Sequence, residues 1–181
     1  MRFTPLPLAG AYLIDLEKKE DERGFFARYF CENEFAKQGL FTRWVQMNTS
    51  LSREKGTLRG LHFQRPPKAE AKVVRCLRGA IWDVIVDLRE GYQTFGLWYG
   101  AELNDQNRTM IYVPKGFAHG FQTLTENVEL LYLHSEFYSP EHDSGISAQD
   151  PELAIPWPEP IKKVSTRDLG FPTIAQMAAL K

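Results

Sequence analysis

Between Lys72 and Phe137 this chain offers one strand-like run after another and no helix, which restricts it to a predominantly antiparallel β architecture. Lys72 to Leu77 is followed by Arg78-Gly79 and then by Ala80 to Leu88, a pattern that predicts a hairpin. Gly96 to Leu103, Met110 to Val113, Gly120 to Leu124 and Val128 to Phe137 continue at the spacing of a sandwich or barrel. Helical patterning is confined to Glu32 to Lys37, stopping near Gly39, and to Thr173 to Leu180. An aromatic content of 13% suits pleated sheets better than helices. Pro151 to Pro160 is proline-rich and reads as a connector laid over the surface.

The length of 181 residues predicts a single domain, 1–181, with a substantial core. A net charge of −1 provides no general attraction to nucleic acid or to an acidic membrane. No apolar run approaches membrane-spanning length, and Met1 to Pro5 lacks a signal-peptide core, so a cytoplasmic protein is expected. Cys31 and Cys76 are too few for a disulfide framework and are expected as buried thiols.

Only four histidines occur, and two share one kind of setting. Leu58-Arg59-Gly60-Leu61-His62-Phe63-Gln64 and Pro114-Lys115-Gly116-Phe117-Ala118-His119-Gly120-Phe121 each place an imidazole among glycines and aromatics beside a strand. Strand alternation puts Ile81, Asp83, Ile85 and Asp87 on one face, and Trp82, Val84, Val86 and Leu88 on the other. In Val128 to Glu136 it groups Tyr132, His134 and Glu136 with Val128 and Leu130. Carboxylates on an otherwise apolar face are costly unless solvated or paired, so one sheet face is expected to line a wet cavity that Lys72 can also reach. A histidine base, a phenol, an ammonium and carboxylates are the parts needed to abstract a proton beside a carbonyl.

The order and spacing of several segments resemble the dTDP-4-dehydrorhamnose 3,5-epimerase family over nearly the whole chain. They are Asp21-Glu22-Arg23-Gly24-Phe25-Phe26, the Leu58 to Gln64 stretch, Lys72-Val73-Val74-Arg75-Cys76 and Trp82 through Arg89. Pro114 to Phe121, Leu131-Tyr132, Asp150-Pro151, Trp157-Pro158 and Ser165-Thr166-Arg167-Asp168 complete them. The resemblance implies a cupin-type jelly-roll barrel that works as a homodimer on a nucleotide-diphosphate sugar, with no metal and no organic cofactor. It implies that His62 is the base, held by Asp168, that Tyr132 returns the proton from the opposite face, and that Lys72 stabilises the enolate. It also implies diphosphate contacts from Arg23 and Arg59, substrate contacts from Gln46, Asn48 and His119, and stacking of Tyr138 on the nucleotide base.

Some positions depart from the family pattern. Arg28 stands where a nucleotide-site Glu is usual, Asp143 where a Glu is common and Arg167 where a Lys is common. Met47 and Thr49 replace more polar residues, and Gly145-Ile146-Ser147-Ala148-Gln149-Asp150 lacks the family's tryptophan. Arg28, Asp143 and Arg167 therefore count among the substrate-binding candidates that set specificity, and they bear on the nucleotide and the sugar rather than on the reaction class. His119 either binds substrate or braces the barrel, while His134 and His142 match no position with a role.

Two other classes compete. A metal-dependent cupin needs a histidine pair separated by one residue, but position 64, two beyond His62, is Gln64. A non-catalytic sugar-binding barrel would not need His, Asp, Tyr and Lys together. The expectation is a cofactor-independent epimerase of an NDP-4-keto-6-deoxy sugar acting at C3, C5 or both, the alternative being a single-carbon epimerase of another nucleotide-linked sugar.

Overall fold

The alternation read along the chain resolves into two antiparallel sheets packed face to face. The structure, a computed structural model, describes residues 1–177. In chain order the strands are β1 (Arg2–Pro5), β2 (Tyr12–Asp15), β3 (Lys19–Asp21), β4 (Gly24–Phe26), β5 (Gln46–Ser52), β6 (Leu58–Gln64) and β7 (Lys72–Arg78). They continue as β8 (Ala80–Asp87), β9 (Trp98–Asn104), β10 (Met110–Val113), β11 (Phe117–Thr123), β12 (Val128–His134) and β13 (Asp143–Gly145). One sheet has the order β1-β2-β10-β7-β12-β5, the other β13-β6-β11-β8-β9, and β3-β4 forms a small separate ribbon. This is the expected all-β jelly roll of the cupin type. Helix is limited to α1 (Glu32–Lys37), α2 (Thr166–Leu169) and a 3-10 turn at Ile174–Gln176. The helix expected from Thr173 to Leu180 is reduced to that turn within the described residues, and its last three positions lie outside them.

Three apolar layers hold the sheets. Between them, Val74, Cys76, Ile81, Ile85, Ile111, Phe121 and Leu130 close the barrel interior. Outside the six-stranded sheet, Phe35 of α1 packs with Ile14, Val73 and Tyr112. Outside the five-stranded sheet, Val84, Val86 and Leu88 meet Ile146, Leu153 and Ile155. The Pro151 to Pro160 connector is thus a covering layer rather than loose surface: Trp98 Nε1 donates to the Leu153 carbonyl and Trp157 Nε1 to the Ala148 carbonyl. Full burial of an aliphatic side chain such as Leu153 stabilises by about 1.5–3 kcal/mol, enough to hold the segment down.

The expected hairpin at Arg78-Gly79 does not form. β7 lies in the six-stranded sheet and β8 in the five-stranded one, so the chain turns a corner of the barrel there. Gly79 sits at φ +79°, donates its N–H to Asp105 Oδ2 and accepts from the Asp105 N–H, which pins the corner. A single residue between two strands cannot make the two-residue loop of a hairpin. Cys76 is buried as expected and its thiol is pushed up to about 12 by burial, whereas Cys31 is only half-buried.

Candidate active site

The two histidine segments are neighbouring strands. His62 of β6 and His119 of β11 are direct Cα partners, so both imidazoles project from the same face into the barrel. Their glycines explain the close approach. A Cβ on Gly60, which sits at φ +121°, would stand 2.6 Å from the Gly120 Cα, and one on Gly120 would stand 2.6 Å from the Arg59 carbonyl oxygen. The ladder shifts register between His119 and Phe121, a bulge at the point where the strands carry the site.

Each of these imidazoles is backed by a carboxylate. His62 Nε2 donates to Asp168 Oδ1 at 2.9 Å, and the other Asp168 oxygen accepts the Gly60 N–H at 3.0 Å. Asp168 arrives from α2, where its own N–H donates to the Ser165 cap. Burial works against ionisation of Asp168, but the His62 and Gly60 hydrogen bonds outweigh it and hold the carboxyl below its usual range. His119 Nε2 donates to the fully buried Asp83 at 2.8 Å. The phenyl ring of Phe171 stands edge-on to His62 at 5.7 Å.

The facing wall comes from the six-stranded sheet. Tyr132 of β12 lies in register between Val74 of β7 and Asn48 of β5, and its hydroxyl meets Ser50 Oγ at 2.9 Å. Burial pushes the Tyr132 phenol up to about 12, the Ser50 hydrogen bond only partly opposing it. Its ring lies between two imidazoles, edge-on to His119 at 6.5 Å and stacked on His134 at 6.1 Å. Lys72, at the head of β7, points into the same space and pairs with Glu70 at 3.0 Å.

The resulting cavity of about 270 Å³ is lined by Asn48, Arg59, His62, Lys72, His119 and Tyr132, together with Ser50 and His134. A second cavity of about 360 Å³ adjoins it, sharing Arg59 and His62 and bounded by Lys163, Arg167 and Asp168. Gln46, Tyr138, Asp143 and Arg167 form a connected rim: the Tyr138 N–H donates to Gln46 Oε1 at 2.6 Å, its hydroxyl to Asp143 Oδ2 at 3.0 Å, and Asp143 pairs with Arg167 at 2.7 Å. Tyr138 remains exposed. Arg23 and Arg28 are elsewhere: Arg23 pairs with Asp21 on the exposed β3-β4 ribbon and Arg28 with Glu34 of α1, and neither lines the cavity. Among the described residues no cluster of three His, Cys, Asp or Glu side chains is arranged to hold a metal ion, and no helix is long and apolar enough to cross a membrane.

Four residues at the site carried little or no signal. Asp83 stood out only as a carboxylate on an apolar strand face, and Asp87, sharing that face, proves to be a structural brace for Arg89 and Thr94. His134 shares the Tyr132 face and lines the cavity. Glu70 is placed by alternation on the side of Lys72, a usable sign. Ser50 had none.

The family model described as dTDP-4-dehydrorhamnose 3,5-epimerase matches residues 5–176. A dTDP-4-dehydrorhamnose 3,5-epimerase of Methanothermobacter thermautotrophicus is 48% identical over 87% of this chain and 84% of its own. A dTDP-4-dehydrorhamnose 3-epimerase of Streptomyces niveus is 41% identical over 93% of this chain and 81% of its own. The solved structure of a dTDP-6-deoxy-D-glucose-3,5-epimerase from Legionella pneumophila, in complex with dTDP-4-keto-L-rhamnose, superposes with a TM-score of 0.90 at 36% identity, covering 97% of this chain and 94% of that one.

Proposed function

This chain belongs to the dTDP-4-dehydrorhamnose 3,5-epimerase family, and from that premise we propose how its residues epimerise a nucleotide-linked 4-keto-6-deoxy sugar. The C4 ketone acidifies the hydrogens on C3 and C5. His62, its Nε2 committed to Asp168, takes that proton on Nδ1. Asp168 then stabilises the imidazolium, since a buried carboxylate is a better neighbour for a cation than for a neutral ring. The electrons of the broken C–H bond move to the C4 oxygen, and the Lys72 ammonium offsets the charge there, a contribution on the order of 3 kcal/mol of barrier. Tyr132 returns a proton to carbon from the opposite face, which inverts the centre.

The observation that carries this reading is the division of the cavity: the carboxylate-backed His62 on one wall, and the neutral phenol and the ammonium on the other. Arg59 and Arg167 suit the diphosphate through their planar donor forks. The exposed Tyr138 ring suits base stacking, with Gln46 and Asp143 holding its backbone and hydroxyl. Asn48 and His119 complete the sugar contacts. One base and one acid serve inversion at one carbon or at two, so epimerisation at C3 alone stands as the second reading, favoured by the likeness to a 3-epimerase.

The proposal includes a homodimer. Arg23 and Arg28 flank or occupy an exposed segment in which Phe26 is 72% exposed, and they would serve as substrate contacts by reaching the cavity of a second copy. Mixing inactive His62→Ala with inactive Arg23→Ala protein should then restore about a quarter of wild-type activity, because half the dimers regain one complete site. Both cysteines are free thiols, in keeping with the reducing cytoplasm proposed for the enzyme.

The central test is proton NMR of dTDP-4-keto-6-deoxyglucose with the enzyme in deuterium oxide. Loss of both the C3 and C5 proton signals establishes the double epimerase, and loss of one names the carbon. His62→Ala should slow that exchange by at least about a thousandfold with the fold intact. Undiminished exchange would remove His62 from the reaction.

A further inference from the structure

Lys72 and His134 are direct partners in the β7-β12 ladder, one at the head of its strand and the other at the end. Glu70 bridges them. One of its oxygens accepts from the Lys72 ammonium at 3.0 Å and the other from His134 Nδ1 at 2.8 Å. The three side chains are sheltered, with exposures of 9% for Lys72, 8% for Glu70 and 14% for His134. The backbone next to Glu70 is tied to the same strand, because the Ala71 N–H donates to Ser135 Oγ at 2.7 Å and the Ser135 N–H to the Ala71 carbonyl at 3.0 Å. The imidazole held by Glu70 lies close to parallel with the Tyr132 ring, at an interplanar angle of 27°. One carboxylate therefore joins the strand that carries the ammonium to the strand that carries the phenol.

An ammonium on four methylenes is a mobile point charge, and its effect on a developing anion depends on where it is held. We propose that Glu70, anchored by His134, is a positioning residue that aims the Lys72 ammonium at the oxygen where charge develops. The arrangement suits that task. The ammonium has three N–H donors, and the Glu70 contact leaves others for substrate. A carboxylate bonded to Lys72 alone would offset much of its charge, whereas this one divides its oxygens between Lys72 and His134. Burial alone would favour the neutral acid, but His134 and Lys72 together hold Glu70 below its usual range, so it is an anion at neutral pH.

The inference rests on the assignment of Lys72 to the reaction, and a double-mutant cycle separates the two. Glu70→Gln preserves shape and removes the charge. It should lower kcat for deuterium exchange about tenfold while KM stays within about twofold. Lys72→Met should lower it further, and Glu70→Gln in the Lys72→Met background should cost nothing more. His134→Leu withdraws one donor from Glu70 and supplies the same test should Glu70→Gln fail to fold: about a threefold fall in kcat in the wild-type background and none on Lys72→Met. Additive losses, or a Glu70→Gln enzyme with wild-type kcat beside a crippled Lys72→Met, would overturn the positioning role and leave the mechanism standing. A fully active Lys72→Met would overturn both.

Discussion

The two walls of the cavity solve opposite problems in proton transfer. On the five-stranded sheet each imidazole has a carboxylate of its own, Asp168 for His62 and Asp83 for His119. On the six-stranded sheet the phenol of Tyr132 touches a neutral hydroxyl, Ser50, and the one carboxylate nearby is shared by Lys72 and His134. A base becomes a cation when it acts, so an adjacent anion favours its product state. An acid must hold its proton until carbon needs it, and burial keeps the phenol neutral, at about 12, with the Ser50 hydrogen bond and the Arg59 charge opposing it only in part. The difference teaches that the roles are set less by residue type than by which counter-charge each wall supplies.

Among the changes that test this comparison, the largest expected effect breaks the pairing on the base side. Asp168→Asn should lower kcat for exchange by about a hundred- to a thousandfold, because the imidazolium loses its anion while the ring keeps a hydrogen-bonding neighbour. An enzyme that tolerated this change would show the dedicated carboxylate to be dispensable. Tyr132→Phe comes next and sharpens the other side. Formation of epimerised product should fall about a hundredfold, while loss of the substrate C–H signal into deuterium oxide persists at a larger fraction of the wild-type rate. Equal losses in both measurements would remove the division between the walls.

The smallest effect is on stability, and its sign follows from Asp168. A carboxyl held below its ordinary value of 3.8 in the fold contributes stability that is fully present above that value. The contribution is lost as pH falls through the lower folded value. The melting-temperature advantage of wild type over Asp168→Asn should therefore narrow below pH 3.8, measured by thermal unfolding at a series of acidic pH values. An advantage that grew on acidification would mean that burial of the carboxylate, not its hydrogen bonds, dominates.

Much of this was legible along the chain because side-chain direction in a strand is local. Asp83 and Ile85 share a face, as do Tyr132 and His134, wherever their strands end up, and the glycines beside His62 and His119 stood out in the sequence although their role, the close pairing of β6 and β11, is visible only in the fold. The likeness of the segments around Arg59, Lys72, His119 and Tyr132 to one family then supplied roles that alternation could not. Signals weakened where a residue matters through its partner. Neither Glu70 nor Ser50 was singled out along the chain, and it is the fold that puts them against Lys72 and Tyr132.

The sequence by itself determined the strands between Lys72 and Phe137, their alternation and the acids, bases and cations on hand, since each depends on neighbours a few residues away, whereas β1 to β5 and β13 emerged only in the fold. Only the tertiary structure decided that Lys72 to Arg78 and Ala80 to Asp87 part company at Gly79 into different sheets, rather than pairing as a hairpin. It alone decided that Asp168, 106 residues beyond His62, is the carboxylate beside it, while Asp87 braces a corner instead. Register between strands distant in the chain is set by which faces can be buried together, and that choice is made by the whole barrel at once.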